Sequence, residues 1–140
     1  MSKINIHTVL KTQEKIYEYD VPAIFKEDER IIIYKEQDEQ RTTTSFNYRT
    51  KELIRENDSL KMHYIFNKDK NSRGTILVKE FGRSLDLIIR TTKILRCENN
   101  IEIEFLVEGQ LFNYKIEVKE YEYYKKYNKR IRKYSKTGWL

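Results

Sequence analysis

Apolar and polar residues alternate with a period of two through most of the chain. The clearest run is Ile101-Glu102-Ile103-Glu104-Phe105, continuing to Val107 and Glu108. Successive side chains of an extended strand point to opposite faces, so this pattern predicts a strand with one buried face and one wet face. Glu108-Gly109-Gln110 is a tight-turn signal. Phe112, Tyr114, Ile116 and Val118 then alternate with Asn113, Lys115, Glu117 and Lys119, which predicts the second strand of an antiparallel hairpin.

Earlier segments read the same way. Ile4, Ile6 and Thr8 alternate with polar neighbours, as do residues from Ile16 to Phe25. Arg30 to Tyr34 is a short β-branched run. Thr42 to Phe46, Leu53 to Arg55, Leu60 to Phe66, Gly74 to Phe81 and Leu85 to Thr91 follow. Turn clusters separate them at Lys26 to Glu29, Glu36 to Gln40, Asn57-Asp58-Ser59, Asn67 to Arg73, Phe81-Gly82-Arg83-Ser84 and Glu98-Asn99-Asn100. Short strands at regular spacing predict an antiparallel all-β sandwich or barrel of eight to ten strands. Closure would remove the two unpaired edges of an open sheet. Pro22, the one proline, suits an edge or a bulge.

The period changes near Tyr121. Tyr124, Tyr127, Ile131 and Tyr134 recur at helical spacing, and no Gly or Pro intervenes before Gly138. This predicts a basic amphipathic helix of about three turns. The chain therefore divides into a barrel over 1–120 and a basic aromatic tail over 121–140.

Charge sharpens that division. The tail carries Lys125, Lys126, Lys129, Arg130, Arg132, Lys133 and Lys136 against Glu122 alone, which accounts for the whole net charge of +6. The first 120 residues are balanced. Aromatic content of 13%, with eleven tyrosines, argues against disorder. A single cysteine, Cys97, excludes an internal disulfide and fits a reducing compartment. No segment has the apolar length of a signal peptide or of a membrane span. The expectation is a soluble cytoplasmic protein.

The strand order and several residues resemble the YwiB-like family of small bacterial proteins, a family without an agreed activity. The matching features are the threonine-rich Arg41-Thr42-Thr43-Thr44, a hairpin ending near Arg55, and Met62 with Phe66 on the next strand. Phe81-Gly82 then leads into Leu85, Leu87, Ile89 and Thr91, and the final hairpin is Ile101 to Val118. The resemblance covers residues 3–120. Lys79-Glu80 stand where that family carries Thr-Pro, and Asn57 or Asp58 where it carries glycine. The resemblance implies a calycin-like (lipocalin-like) β-barrel whose interior could hold a ligand.

Catalytic signals are sparse. His7 and His63 sit on separate strands without a partner at metal-ligand spacing, so neither a metal nor a cofactor is expected. Cys97 precedes a turn with no base nearby in sequence. Glu102, Glu104 and Glu108 read as a solvated strand face. Four glycines leave no phosphate-cradling loop and no nucleophile elbow. The reading is of a non-enzymatic protein.

Two binding modes remain. Alternation places Met62, Tyr64, Phe66, Leu87, Ile89, Thr91, Phe105, Tyr114 and Ile116 in the barrel interior. Residues this large favour a filled core over a pocket, whereas an inward polar residue such as Thr91 or Arg55 would favour a pocket. Arg55, Met62, Phe66, Thr91 and Tyr114 are thus the candidates for contacting a small hydrophobic ligand. The tail is the other candidate. Its stripe can pack on the barrel with the lysines in water, its cations can meet RNA phosphates while tyrosines stack on bases, or it can lie on an anionic membrane. Tyrosine is a weak insertion face, so of the anionic partners RNA is favoured, and tail contact with RNA is the leading expectation, with a lipocalin-like carrier of a small hydrophobic ligand as the alternative.

Overall fold

A computed structural model describes residues 2–121, with side chains through Lys119. That range contains ten strands and no helix: β1 (Ser2–Lys11), β2 (Ile16–Lys26), β3 (Ile31–Lys35), β4 (Thr43–Asn47), β5 (Glu52–Glu56), β6 (Leu60–Ile65), β7 (Ser72–Val78), β8 (Arg83–Arg96), β9 (Asn100–Val107) and β10 (Gln110–Tyr121). Each pairs antiparallel with its sequence neighbours, and β1 closes the ring on β10. The expected barrel is therefore present, at the upper end of the expected strand number. The helix expected over the basic tail, with its seven Lys and Arg, lies outside the described residues.

Alternation sets the inner face of each strand. Ile4, Ile6, Thr8 and Leu10 of β1 point inward, as do Ile101, Ile103, Phe105 and Val107 of β9 and Tyr114, Ile116 and Val118 of β10. The interior is filled rather than hollow across its middle. Phe105 stacks on Phe112 at 5.3 Å and touches Phe66 at 4.6 Å and Tyr64 at 5.9 Å between ring centroids. Aromatic pairs in this range add to the burial of their area.

Two strands run beyond the sequence expectation. β8 continues past Thr91 to Arg96 because a bulge between Thr91 and Lys93 shifts the phase and hides the period of two. β10 continues past Val118 to Tyr121, opposite Ile4 of β1. β7 stops short, at Val78, and the chain turns through Gly82 at φ 60°. The β9–β10 hairpin closes as the sequence predicts. Glu108 and Gly109 have φ of 51° and 79°, the left-handed pair of a type I′ turn.

The up-and-down topology gathers turns 12–15, 36–42, 57–59, 79–82 and 108–109 at one end, here termed the mouth. Turns 27–30, 48–51, 66–71 and 97–99 lie at the base. Both histidines face outward and meet carboxylates on the neighbouring strand. His7 lies 2.9 Å from both Asp20 and Glu18, and His63 lies 2.8 Å from Glu52. Among the described residues no cluster of His, Cys, Asp and Glu is arranged to hold a metal ion. Nor is any helix there long and apolar enough to cross a membrane.

Candidate functional site

The mouth owes its shape to Pro22. The β2–β3 ladder runs from Lys26↔Ile31 to Ala23↔Tyr34 and stops at the proline, which has no N–H to donate. On its other side β2 stays paired with β1 down to Lys11↔Ile16. Residues 16–22 are therefore held along one edge, and a slot opens in the wall beside them. The slot is a cleft of about 880 Å³ whose lining includes Val21, Ala23, Tyr34 and Glu36 from the inner face and Ile24 and Ile33 from the outer face. Lining from both faces is what a gap through a sheet requires.

Behind the slot lies a polar cluster. Register places Thr44 between Tyr34 and Arg55, and Met62 next to Arg55, in one row across β3, β4, β5 and β6. Glu36 follows β3 in phase with Ile32 and Tyr34, so its carboxylate points inward and is 5% exposed. Arg55 Nε and Nη2 donate to Glu36 Oε2 and Oε1, both at 2.8 Å, and the Thr44 hydroxyl donates to Oε2 at 2.7 Å. This planar two-bond geometry is the strongest form of the pair. The Tyr17 ring covers the guanidinium, its centroid 5.1 Å from Cζ.

A chain of hydroxyls runs alongside. Tyr34 and Tyr114 meet at 2.9 Å and Thr8 reaches Tyr34 at 3.2 Å. Burial pushes the Tyr34 phenol up to about 12, against the pull of its bonds to Thr8 and Tyr114. Burial raises Tyr114 well above the ordinary range, and raises Tyr19 with help from the nearby Glu36 and Asp38 charges. Burial also opposes the charge on Arg55. The Glu36 carboxylate outweighs it and leaves the guanidinium above its ordinary value. At the rim, burial pushes Asp38 up, but bonds from the Thr42 hydroxyl (2.6 Å) and amide (2.8 Å) outweigh it and hold the carboxyl low.

Between these groups lies a small cavity of about 10 Å³, lined by Leu10, Tyr17, Tyr19, Arg55, Glu36 and Tyr114 among others. That is the room of about one water molecule. The slot and this cavity share Tyr34 and Glu36 in their linings, so the two spaces are neighbours.

The five interior candidates divide. Arg55 and Tyr114 converge on the cavity, and Met62 lies beside Arg55 and accepts a long bond from the Tyr64 hydroxyl at 3.7 Å. Phe66 is packed against Phe105 in the core, away from the mouth. Thr91 is buried but lines a different cleft, formed with the 66–71 turn at the base. The seven basic tail residues lie outside the described residues. Sequence reading missed Glu36, Tyr34, Thr8, Thr44, Tyr17 and Tyr19. The available signal was phase: Glu36 and Thr8 are polar residues that continue an apolar face.

The barrel can be set beside a solved structure of the same shape. The crystal structure of the ywiB protein from Bacillus subtilis matches with a TM-score of 0.57 at 18% identity, over 84% of this chain and 89% of that one. The fold is YwiB-like. No protein-family model and no curated protein sequence matches the chain. The expectation raised by Arg41-Thr42-Thr43-Thr44, Met62 and Phe81-Gly82 is met in the YwiB-like barrel. The polar mouth is read from this chain's own residues.

Proposed function

We propose that the chain is a non-enzymatic, calycin-like binding barrel that takes a small, uncharged and largely apolar molecule at its mouth. The observation that carries this reading is the buried Glu36–Arg55 pair, whose Glu36 lines a slot in the wall. Opposite charges in contact cancel, so the site offers a charged ligand no net attraction and would strip its hydration. Glu36 takes two of the five N–H donors of Arg55, which leaves donors for an acceptor on the ligand. In the slot Val21, Ala23, Ile24, Ile33 and Tyr34 supply apolar contact, and Tyr17 and Leu10 do so in the neighbouring cavity. The slot falls in the size range of small-molecule sites, whereas the small cavity does not.

Titration with the neutral, flat fluorophore N-phenyl-1-naphthylamine tests this. Saturable one-to-one binding that weakens in Tyr17→Ala is expected. Absence of saturation, or binding indifferent to Tyr17→Ala, would overturn it.

A second reading rests on charge. The excess of seven Lys and Arg over one Glu in residues 121–140 would draw the chain to RNA. In that reading the barrel carries the tail to its partner. Affinity for a mixed-sequence RNA should fall steeply between about 50 and 200 mM salt, and should vanish when the chain ends at Glu120. Equal binding by the shortened chain would defeat it.

A further inference from the structure

A second cleft lies at the base of the barrel, away from the mouth. The β7–β8 ladder ends at Ser72↔Ile89, and β8 continues to Arg96 with β9 as its paired neighbour. The 66–71 turn packs over the edge left open. Between them is a cleft of about 400 Å³ lined by Lys68, Lys70, Asn71, Arg90 and Thr91, with Asp69 and Thr92 completing the wall.

Its charge is unbalanced. Three cations face one carboxylate, Asp69. Among the described residues none of the three cations takes part in an ion pair. The Thr92 hydroxyl is engaged by Glu104, at 3.2 Å from its carbonyl and 2.9 Å from Oε1. Thr91 differs from every other lining residue in being buried, on the inner face of β8 with Ile89. Its hydroxyl is fully enclosed and finds no partner within the protein. Buried hydroxyls are nearly always hydrogen-bonded, and an exception asks for a reason.

We propose that this cleft binds the phosphate group of a small phosphomonoester, with Arg90, Lys68 and Lys70 around the dianion and the Thr91 hydroxyl beneath it. A guanidinium fork and two ammonium groups match tetrahedral, acceptor-rich oxygens. Asn71 adds an amide donor. A cleft of about 400 Å³ suits a terminal phosphate better than the continuous backbone of a nucleic acid. Unlike the mouth, where charge is cancelled, this site sets three cations against Asp69 in its lining and the Glu104 carboxylate bonded to Thr92, and so keeps a positive surplus for an anion. The inference is independent of the ligand proposed for the mouth.

Amide chemical shifts of the full chain, followed by NMR at roughly 20 mM salt where screening is weak, provide the test. The probes are inorganic phosphate and glycerol 1-phosphate. Saturating shifts at 68–71 and 90–92 are expected with both. Tighter binding of the ester would show that its organic part also makes contact, and equal binding would identify free phosphate as sufficient. Arg90→Gln should weaken binding about tenfold, the loss of one charge-assisted bond. Thr91→Val should weaken it severalfold, and Lys61→Gln, which removes a charge elsewhere, should leave it unchanged. The proposal is overturned if no shifts saturate, if shifts are confined to 122–140, or if Arg90→Gln and Lys61→Gln behave alike.

Discussion

Arg55 grips Glu36 through two parallel bonds of 2.8 Å, from a position 19 residues later in the chain. The side chains are 11% and 4% exposed, so the pair sits where either charge alone would be poorly solvated. Arg55→Met should leave a buried carboxylate with Thr44 as its remaining donor. The expected loss is about 3–5 kcal/mol. Glu36→Leu should be similarly harmful because it strands the guanidinium. The double variant should recover much of the loss, since an apolar pair of similar volume can replace a buried ion pair. Urea denaturation of all four proteins measures the coupling. Strictly additive losses would mean that the two side chains stabilise the barrel independently.

Stability should fall at high pH through Tyr34. Its phenol is pushed up to about 12 by burial, from an ordinary value of 10.0. The folded chain thus holds this proton more tightly than the unfolded chain does. The corresponding stability is complete below about pH 10 and is lost as pH rises towards about 12. Two pH units correspond to about 3 kcal/mol. Tyr114 is shifted in the same direction and adds to the decline. Urea midpoints at about pH 9 and about pH 11.5, with tyrosinate absorbance recorded alongside, check it. Tyr34→Phe should flatten the slope, and an unchanged slope would place the decline in other groups.

Gly74 faces the core where two side chains leave no space. An added Cβ would lie 2.8 Å from Ile89 Cδ1 and 3.1 Å from Tyr64 Cδ1. Ile89 is fully buried and Tyr64 nearly so, hence neither can move aside freely. Gly74→Ala should destabilise by about 1–3 kcal/mol, the usual range for overpacking. Ile89→Val removes the nearer methyl, so the double variant should be more stable than Gly74→Ala alone. Thermal melting of the three variants decides this.

These sites were legible in the sequence to different degrees. Alternation at Ile101–Val107 and Phe112–Val118 is enough to place a hairpin, because a one-residue slip would turn its whole apolar face outward. Turn chemistry at Glu108-Gly109 fixes the connection. The Glu36–Arg55 contact is harder to see. Glu36 stands at the head of a turn-rich stretch, and an acidic residue there reads as solvated. Its meeting with Arg55 depends on the β3–β4–β5 register, which no local pattern states. The base cleft was hidden for another reason. The bulge after Thr91 erases the period of two, so nothing in the sequence announces that β8 runs on without β7 beside it.

Thr91 yields the sharpest prediction, because stability and binding should move in opposite directions there. Its hydroxyl is buried without a partner, and such a group costs about 1–3 kcal/mol in lost hydration. Valine has nearly the same shape, carries no donor, and favours a strand. Thr91→Val should therefore stabilise the unliganded chain by about 1 kcal/mol, read as a higher urea midpoint. A chain shaped by stability alone would gain by that change, whereas one that needs the hydroxyl for a ligand would keep the less stable residue. A lower midpoint for Thr91→Val would mean that the hydroxyl already has a stabilising partner in solution. That outcome would remove the reason for giving it one in the cleft.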